Sequence, residues 1–461
     1  MTESYDGVVI GSGQGGTPLA IALASAGWRT AVIEREHVGG TCINEGCTPT
    51  KTMVSSGRVA YLAARGADYG VHTGAVSVDM MAVRDRKRSV VQAFRSSMED
   101  RLDQTRGLHV LKGEASFTGP KTLLVKGSDG GTTEISATRI FINAGARPAR
   151  PALDGLNGGE ALDSTSVMEL AEVPEHLLVL GGGYVGIEFG QLFRRFGSAV
   201  TIVQRGPALL GREDPDIADE VARILTEDGV EILLNTEPIG VQKGPNEELR
   251  LSVKSSNDQR TLVGSHLLLA AGRVPNSDTL NLGAAGIQVD SRGFVEVNDR
   301  LETNVPGVYA MGDVKGGPAF THISYDDFRV LRKNLLDGGG ATTNGRNIPY
   351  TVFMDPQLGR IGLTETEARQ NGHRVRTARM PMTHVARAVE TGETRGFMKA
   401  VVDADTDHIL GASVLGIEGG EIMAMVEIAM LCKLPYQALR DAVFAHPTLA
   451  ESLNNLFSSF D

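Results

Sequence analysis

Two of the three cysteines, Cys42 and Cys47, lie five positions apart in a segment rich in glycine. Five residues make about 1.4 turns of a regular helix, so the two side chains would diverge on an undistorted helix. A disulfide needs Cα atoms within about 4.4–6.8 Å of each other. A bridge therefore predicts a distorted helix start, which Gly46 and Pro49 permit.

Strained or accessible disulfides are the ones most easily reduced, so the pair is predicted to be redox-active. Two inert buried thiols are the alternative. A metal site is not expected, because the set of His and Cys ligands that one needs is missing. The third cysteine, Cys432, falls in an apolar helical stretch and is predicted to be buried and inert.

Length and composition narrow the class of protein. The chain has 461 residues, 41% of them apolar, which suggests about three domains with several cores. A net charge of −11 without a long basic run makes nucleic acid an unexpected partner. No secretory signal and no membrane-spanning run are visible. With so few cysteines, a reducing cytoplasm is the expected location.

A glycine-rich pattern occurs twice, each time after an apolar strand. The first copy covers residues 11–16 and the second covers residues 181–186, at a constant offset of 170. Each has a polar residue 18 positions beyond its last glycine, Glu34 in the first and Gln204 in the second. One such pattern is weak evidence, but two with the same context predict two dinucleotide-binding folds.

The chemistry of these patterns is specific. Glycines let the backbone approach a pyrophosphate at a helix N-terminus, where free N–H groups and the helix dipole favour anions. Glu34 would accept hydrogen bonds from ribose hydroxyls. Glycines that serve only tight turns are the alternative. The predicted nucleotide-binding glycines are Gly11, Gly13 and Gly16 in the first copy, and Gly181, Gly183 and Gly186 in the second.

A second repeat relates residues 140–148 to residues 267–275 at an offset of 127. Both look like buried strands that end in a Gly/Pro turn and mark crossovers between two nucleotide domains. The predicted fold is α/β, with two Rossmann-like domains and a C-terminal α+β domain. Its boundaries are 1–149 for the first part of one nucleotide-binding domain, 150–272 for the second, inserted nucleotide-binding domain, 273–345 for the second part of the first domain, and 346–461 for the C-terminal domain. The resemblance described next implies that these domains bind FAD, bind NAD(P) and form the dimer, in that order.

Together these motifs resemble the FAD-dependent pyridine nucleotide–disulfide oxidoreductases, a family that includes glutathione reductase, dihydrolipoamide dehydrogenase and mercuric reductase. The resemblance covers essentially the whole chain. It rests further on residues 39–51, 271–276, 311–313 and 446–451. It implies FAD and NAD(P) as cofactors and an obligate homodimer. The further cofactor contacts that it implies are Gly40, Thr41, Lys51, Gly145, Gly272 and Asp313.

The resemblance also assigns roles around the cysteines. Cys47 would be the thiol nearest the flavin, and Cys42 the interchange thiol that attacks the substrate. Lys51 would lie near flavin N5 and stabilise a Cys47 thiolate, since a nearby cation lowers a thiol pKa. Glu188, two residues past the second pattern, would pair with Lys51.

His446 and Glu451 resemble the family's C-terminal His/Glu dyad. His446 would act as acid–base on Cys42 of the other subunit, so that the active site is shared, and Glu451 would orient the imidazole. A helix capping box formed by Thr448 and Glu451 is an alternative role for Glu451, and both roles can hold at once.

The end of the second pattern bears on the nicotinamide. An acidic residue there would favour NADH, because it would repel a 2′-phosphate. This chain has the neutral Gln204 followed by Arg205, with Arg212 seven residues further on. The combination favours NADPH, with NADH as the alternative, since Arg binds a phosphate with a planar fork.

The expected reaction is reduction of a small disulfide by NADPH through FAD and the Cys42–Cys47 pair. Mercuric reductase, reduction of another metal ion such as Cu(II), and dihydrolipoamide dehydrogenase are the alternatives. The sequence lacks the paired C-terminal cysteines and the N-terminal metal-binding domain that mercuric reductases use. Gln204 and Arg205 count against dihydrolipoamide dehydrogenase. A flavin-bound redox sensor that does not turn over is the non-enzymatic alternative.

Overall fold

The computed structural model describes residues 3–156, 161–256 and 258–460. These residues form two compact units, which are described separately below. The first comprises Met1–Thr52, Arg84–Ala149 and Gly272–Arg346, and the second comprises Met53–Val83, Arg150–Ala271 and Asn347–Asp461. None of the helices in the described ranges is long and apolar enough to cross a lipid bilayer.

Regular elements alternate from the start of the chain. The strands up to residue 148 are β1 (Glu3–Ile10), β2 (Thr30–Glu34), β3 (Leu108–Lys112), β4 (Glu114–Gly119), β5 (Thr122–Lys126), β6 (Thr132–Ile142) and β7 (Ala146–Pro148). The helices of this part are α1 (Gly16–Ser25), α2 (Gly40–Asn44), α3 (Cys47–Ala64) and α4 (Met80–Asp103).

The middle of the chain repeats the alternation. Its strands are β8 (His176–Leu180), β9 (Ala199–Val203), β10 (Val230–Leu233), β11 (Glu237–Lys243), β12 (Leu249–Lys254), β13 (Gln259–Gly264) and β14 (His266–Leu269). Its helices are α5 (Tyr184–Phe196) and α6 (Pro215–Glu227).

The remaining strands are β15 (Arg273–Pro275), β16 (Val308–Ala310), β17 (Tyr350–Val352), β18 (Gln357–Gly362), β19 (Val375–Pro381), β20 (Phe397–Asp403) and β21 (Ile409–Gly416). The remaining helices are α7 (Thr321–Leu336), α8 (Glu365–Gln370), α9 (Ala386–Glu390), α10 (Gly419–Leu431), α11 (Gln437–Arg440) and α12 (Ser452–Ser458). The predicted mixed α/β class is confirmed.

The first unit is built on one sheet with the strand order β3-β2-β1-β6-β5-β4, in which β16 also pairs with β6. Strands β1, β2, β3, β6 and β16 are parallel, and β4 and β5 form an antiparallel extension. Apolar clusters cover both faces of this sheet. Parallel strands buried on both faces explain the continuous apolar runs in the sequence.

The second unit contains the sheet β10-β9-β8-β14, which is parallel throughout. An antiparallel sheet β11-β12-β13 follows along the chain, and the C-terminal part forms the antiparallel sheet β17-β18-β21-β20-β19. Each repeat is visible in the topology: β1 and β8 lead into the glycine patterns, and β6 and β14 lie beside them as parallel neighbours.

The Gly/Pro turns after β6 and β14 lead into the short strands β7 and β15, which pair with each other. Arg273 lies opposite Pro148 and Pro275 lies opposite Ala146 in this antiparallel ribbon. The side chain of Arg147 reinforces the ribbon by forming an ion pair with Asp278 at 2.6 Å. The two crossover segments predicted from the second repeat therefore run side by side within the first unit.

One prediction about the C-terminal part is wrong. Cys432 is exposed, because it follows the last residue of α10 and is the cap of that helix. Exposed apolar side chains, Ile428 and Leu431, precede it on the same helix. The apolar sequence of α10 therefore reflects two apolar faces, one packed in the core and one on the surface of the single chain.

A buried lysine anchors the second unit. The Lys399 ammonium, whose side chain is 8% exposed, lies 3.1 Å from Asp214, 3.1 Å from Asp216 and 3.0 Å from Glu365. Burial alone would raise the pKa of Asp214. Hydrogen bonds from Thr366, from the backbone of Glu365 and from Lys399 outweigh burial and hold this pKa below its ordinary value.

Lys399→Met is expected to lower the midpoint of thermal unfolding at pH 7, because it leaves the buried Asp214 carboxylate without its cation. Removing one partner of a buried ion pair costs about 3–5 kcal/mol. Since the folded pKa of Asp214 is depressed, its contribution is present above the unfolded pKa and is lost as the pH falls through the folded value. The difference from wild type should therefore narrow below about pH 4.

Lys243→Met is the matched control, because Lys243 forms an exposed pair with Glu247 at 3.2 Å. Exposed pairs contribute little, so this variant should leave the midpoint nearly unchanged. Equal midpoints for the two variants at pH 7 would contradict a stabilising role for Lys399.

Candidate functional site

Residues 39–51, called the redox segment below, form a helix that is interrupted between the two cysteines. Helix α2 ends at Asn44, and α3 begins at Cys47. Glu45, the residue after α2, leaves the helical conformation with φ −140° and ψ 0°. The distorted helix start predicted from the cysteine spacing is confirmed. Cys42 is half-buried and Cys47 is exposed.

Gly46 is required by close packing within this interruption. A Cβ atom at Gly46 would lie 2.9 Å from the Thr41 carbonyl oxygen and 3.3 Å from the Cys42 Cα. Any side chain here would push the backbone that carries Cys42. Pro49 lies in the first turn of α3, where its missing N–H has no helical partner to lose. The two residue types therefore allow the helix to restart with its thiols on neighbouring turns.

The pKa of the Cys42 thiol is set by its neighbours. The hydrogen bond between them raises the pKa of Cys42, and burial of Cys42 acts in the same direction. Thr321 and the positive charge of Lys51 oppose the rise without cancelling it. The Cys47 sulfur lies 3.4 Å from the Thr321 hydroxyl oxygen. The pKa of the Cys42 thiol is therefore held above its ordinary value.

The redox segment rests directly on the first glycine pattern. A Cβ at Gly40 would lie 2.7 Å from the Cα of Gly13. The Gly39 N–H donates to the Ser12 carbonyl and to the Ser12 hydroxyl, each at 3.2 Å. Glu34 accepts hydrogen bonds from the Ser12 N–H at 3.0 Å and the Ser12 hydroxyl at 2.6 Å. The thiol segment and the nucleotide loop therefore form one hydrogen-bonded body.

The first pattern has the geometry of a dinucleotide loop. Gly11 has φ +98°, and a Cβ there would lie 2.4 Å from the Asn143 carbonyl oxygen. A Cβ at Gly16 would lie 2.1 Å from the Gly11 carbonyl oxygen. Gly16 begins α1, so free backbone N–H groups face outward at its start. The loop is therefore a tight turn that presents a helix N-terminus, as a pyrophosphate requires.

The second pattern repeats this arrangement. Gly181 has φ +118°, and a Cβ there would lie 2.4 Å from the Ala270 carbonyl oxygen. A Cβ at Gly186 would lie 1.9 Å from the Gly181 carbonyl oxygen. At Gly183 a Cβ would meet nothing within 4 Å, so its absence leaves space for close approach of a ligand. Gly181 thus permits the tight turn, Gly186 permits close packing of the helix, and Gly183 leaves space for the ligand.

The polar residue at the end of each repeat binds its own loop. Gln204 accepts a hydrogen bond from the Gly182 N–H at 3.0 Å, just as Glu34 accepts one from Ser12. The Gln204 amide nitrogen donates to the Ala208 carbonyl at 3.3 Å. Arg205 and Arg212 are exposed beside this loop. The structure therefore places a neutral amide and two exposed cations where the sequence predicts the nicotinamide nucleotide's ribose.

Asp313 lies in a 3-10 turn, Gly312–Lys315, and Asp327 binds the first and last residues of this turn. The fully buried Asp327 accepts from the Gly312 N–H at 2.8 Å and forms ion pairs with Lys315 and Arg346. Burial raises the pKa of Asp313, with Arg273 opposing the rise. A half-buried carboxylate in this setting suits hydrogen bonds from the hydroxyls of a sugar-alcohol chain.

These features fit FAD in the first unit. Its pyrophosphate would lie at the start of α1, its ribose near Glu34, and its ribityl chain near Asp313. The remaining predicted contacts belong to two groups of this unit: Gly40, Thr41 and Lys51 on the redox segment, and Gly145 and Gly272 on the crossover turns. Both turn glycines have positive φ, +71° for Gly145 and +116° for Gly272.

Lys51 and Glu188 were predicted to form an ion pair. Lys51 lies in the first part of α3, and its charge acts on the Cys42 thiol. Glu188 lies on α5, is 6% exposed, and accepts a hydrogen bond from the Phe353 N–H at 2.8 Å. Their pairing stays a prediction.

His446 and Glu451 contact each other as the motif predicts. The His446 Nδ1 atom lies 2.8 Å from a Glu451 carboxylate oxygen, and the His446 side chain is 69% exposed. The Thr448 hydroxyl oxygen accepts a hydrogen bond from the Glu451 N–H at 3.3 Å, just before α12, which is one half of a capping box. The Glu451 carboxylate binds His446, and its role as the other half of the capping box stays a prediction.

Three supporting residues were missed by sequence reasoning. Asn143 donates from its side chain to the Gly11 carbonyl at 3.1 Å, and Asp327 holds Gly312 as described. Arg95 of α4 donates through Nε to the Asn44 side-chain oxygen at 2.8 Å, next to Cys42. Asn143 had a signal, because it directly follows β6, the parallel strand beside β1. For Arg95, the sequence offered no signal beyond the positive charge of the side chain.

Comparison with known proteins agrees with this geometry. The family model described as pyridine nucleotide-disulphide oxidoreductase matches residues 5–327, and the dimerisation domain of the same family matches residues 348–457. The chain belongs to this family. The predicted architecture, with two Rossmann-like domains and a C-terminal dimerisation domain, agrees with both matches.

Among the relatives of this family member is the probable pyridine nucleotide-disulfide oxidoreductase RclA of Escherichia coli strain K12. It is 41% identical over 460 residues, with 99% of each chain covered. A mercuric reductase from Bacillus cereus is 34% identical, covering 99% of this chain and 72% of the relative. A dihydrolipoyl dehydrogenase from Thermus scotoductus is 33% identical, covering 98% of this chain and 96% of the relative.

Solved structures give the same assignment. The Cu(II) complex of the HOCl-induced flavoprotein disulfide reductase RclA from Escherichia coli superimposes with a TM-score of 0.90. It is 40% identical to this chain, with 99% of each chain covered. As a member of this family, the chain is a flavoprotein disulfide reductase that uses FAD and NAD(P)H, as the sequence predicted.

Gly46→Ala is expected to shift the thiol–disulfide equilibrium of Cys42 and Cys47 toward the dithiol, because the added methyl group displaces the Cys42 backbone. A forced overlap of this kind costs about 1–3 kcal/mol, so the equilibrium constant should change by roughly fivefold or more. Titration with glutathione redox buffers in a Cys432→Ser background measures the change without interference from the third thiol.

Gly283→Ala is the control, because a Cβ at Gly283 meets nothing within 4 Å. If Gly46→Ala titrates with the same midpoint as wild type and Gly283→Ala, close packing at Gly46 does not govern the cysteine geometry.

Proposed function

We propose that this enzyme uses NADPH to reduce a small disulfide, with Cys42 as the attacking thiol and Cys47 as the thiol nearest FAD. The observation that carries the proposal is the seat of the redox segment on the first nucleotide loop, where Gly40 packs on Gly13. Two hydrogen-bonded thiols beside a nucleotide site are arranged to pass an electron pair. FAD, when bound, supplies the transfer of two electrons from the nicotinamide to the Cys42–Cys47 disulfide.

The thiol chemistry begins at Cys42. Because the hydrogen bond with Cys47 and burial raise the pKa of this thiol, a base must remove its proton before the sulfur attacks. The Cys42 sulfur then bonds to one substrate sulfur, the substrate S–S bond breaks, and the departing sulfur takes a proton. Cys47 next attacks the Cys42 sulfur, which restores the Cys42–Cys47 disulfide and releases the second substrate thiol.

His446 is the base in this proposal. Its Nε2 atom is available because Nδ1 already faces the Glu451 carboxylate at 2.8 Å. A carboxylate in this position orients the imidazole and stabilises the imidazolium that forms. The same imidazolium then returns the proton to the departing substrate sulfur. The family's dimerisation domain in this chain supports a homodimer, and we assign His446 to the thiols of the partner subunit.

The preference for NADPH rests on charge at the second loop. Gln204 is neutral and already bonded to Gly182, so it offers no negative charge that would repel a 2′-phosphate. Arg205 and Arg212 are exposed and can turn toward such a phosphate. We also propose a cytoplasmic location, because NADPH is available and thiols stay reduced there.

Reduction of a metal ion is the second candidate, and one finding favours it. The solved structure of the Escherichia coli relative is a Cu(II) complex, so Cu(II) is the first metal substrate to test here. Within the described residues, no group of three or more His, Cys, Asp or Glu side chains is arranged to hold a metal ion. The thiol pair itself would therefore have to receive Cu(II) as a substrate.

His446→Ala is expected to slow reoxidation of the reduced enzyme by a disulfide at least 100-fold, because proton transfer of this kind contributes about 10²–10⁴-fold. Reduction of the bound flavin by NADPH should change less than twofold. Anaerobic stopped-flow absorbance of each half-reaction, with a panel of small disulfides and with Cu(II) as oxidants, measures both effects.

His384→Ala is the control, since His384 lies in a separate turn, Met382–His384. Equal slowing of both half-reactions by His446→Ala would remove His446 from the chemistry. Reoxidation by Cu(II) alone, with the same rate in wild type and His446→Ala, would instead establish the metal-ion candidate.

Arg205→Ala is expected to lower kcat/KM for NADPH about tenfold or more and to leave kcat/KM for NADH unchanged. A hydrogen bond to a charged group contributes about 1.5–3 kcal/mol, and only NADPH carries the 2′-phosphate. Steady-state kinetics with both nucleotides measure the ratio.

The exposed Arg106, on a loop of the first unit, provides the control variant Arg106→Ala. An unchanged NADPH/NADH ratio in Arg205→Ala would assign Arg205 to the solvated surface.

A further inference from the structure

The loop that carries His446 has little structure of its own. Residues 441–451 lie between α11 and α12 and contain no helix or strand. Val443 is fully exposed, and the His446 side chain is 69% exposed. Phe444 and Leu449 of this loop pack against the apolar core of the C-terminal part. The position of the imidazole depends on this packing and on the hydrogen bonds that anchor the loop at its two ends.

The C-terminal anchor is the dyad itself. Glu451 holds His446, the Thr448 hydroxyl donates to the Ala445 carbonyl at 2.8 Å, and the Glu451 N–H donates to Thr448. These contacts fix the second half of the loop to the start of α12. They do not fix where the chain leaves α11.

At the N-terminal end of the loop, the hydrogen-bonding anchor is the Asn454 side chain. Its amide nitrogen lies 2.8 Å from the Leu439 carbonyl oxygen, 2.9 Å from the Arg440 carbonyl oxygen and 2.9 Å from the Ala442 carbonyl oxygen. Carbonyls at a helix end have no partner within the helix, so they need such a donor. The two amide hydrogens are thus shared among three acceptors at the exit of α11.

Asn454 and Glu451 are three residues apart, and the Asn454 N–H donates to the Glu451 carbonyl at 3.0 Å. Residues at this spacing are neighbours on one helical turn. The start of α12 therefore binds the loop at two points. The Asn454 side chain binds the loop where it leaves α11, and the Glu451 carboxylate binds the His446 imidazole. Loss of either contact would displace His446.

We propose that Asn454 is a positioning residue for His446, acting by fixing the loop entry through its three carbonyl contacts. The inference rests on the proposed acid–base role of His446. Asn454 does not touch the reacting sulfurs, so its loss should affect proton transfer through His446 geometry. Since small misplacements of a catalytic group reduce rates strongly, the effect should fall on the half-reaction in which His446 acts.

Asn454→Ala is compared with Asn455→Ala, because Asn455 is the same residue type, is adjacent, and is exposed. We expect Asn454→Ala to slow reoxidation by the disulfide at least tenfold and to change flavin reduction by NADPH less than twofold. Asn455→Ala should match wild type in both. Asn454→Asp, which keeps the size but removes the donor hydrogens, should behave like Asn454→Ala.

A second series places Asn454→Ala in a His446→Ala background. The positioning role requires that Asn454→Ala add no further slowing once the imidazole is absent. Additive slowing in that background overturns the proposal, because it would show that Asn454 acts independently of His446. Equal slowing of both half-reactions by Asn454→Ala also overturns it, as general structural damage would have this effect.

The outcomes separate this inference from the proposed function. If His446→Ala slows reoxidation but Asn454→Ala does not, the function stands and the positioning role fails. If His446→Ala leaves reoxidation unchanged, the acid–base role fails and the positioning role fails with it. Should Asn454→Ala not fold, Asn454→Gln, which keeps the amide on a longer side chain, is measured by the same criteria, with slowed reoxidation again required.

Discussion

The hydrogen bonds that join Ser12, Glu34 and Gly39 are the constraint on which the rest of the site depends. Glu34 binds Ser12 from the end of β2, and Ser12 in turn binds the start of the redox helix through Gly39. Because Gly40 packs on the Cα of Gly13, no side chain fits between the two segments. The thiols therefore cannot move independently of the loop that is predicted to bind the FAD pyrophosphate.

The sequence could predict this region because glycine positions encode local backbone geometry. Gly11 and Gly181 are 170 residues apart, and the carbonyls that they approach belong to Asn143 and Ala270, which are 127 residues apart. Both offsets can be read from the sequence. In the structure, a Cβ at either glycine would lie 2.4 Å from the carbonyl oxygen of the residue that it approaches. A turn that requires glycine can therefore be predicted from the position of that glycine in the sequence.

The supporting contacts could not be predicted in the same way. Asp327 binds Gly312 and Arg346, and Arg95 binds Asn44, through side chains whose partners are set by the packing of helices. The position of an Arg or an Asp along a helix does not indicate which residue its side chain contacts. The burial of Cys432 was predicted wrongly for a related reason, since an apolar helix does not reveal which of its faces is covered in a single chain.

The raised pKa of the Cys42 thiol explains why the proposed reaction needs a base in addition to Lys51. The positive charge of Lys51 opposes the rise in this pKa without cancelling it. A cation strong enough to ionise both sulfurs would stabilise the dithiolate and oppose closure of the disulfide. In the proposed function a base on the 441–451 loop avoids this conflict, because His446 would take the Cys42 proton in the step of substrate attack. Anchoring that loop is then the condition for accurate placement of the imidazole.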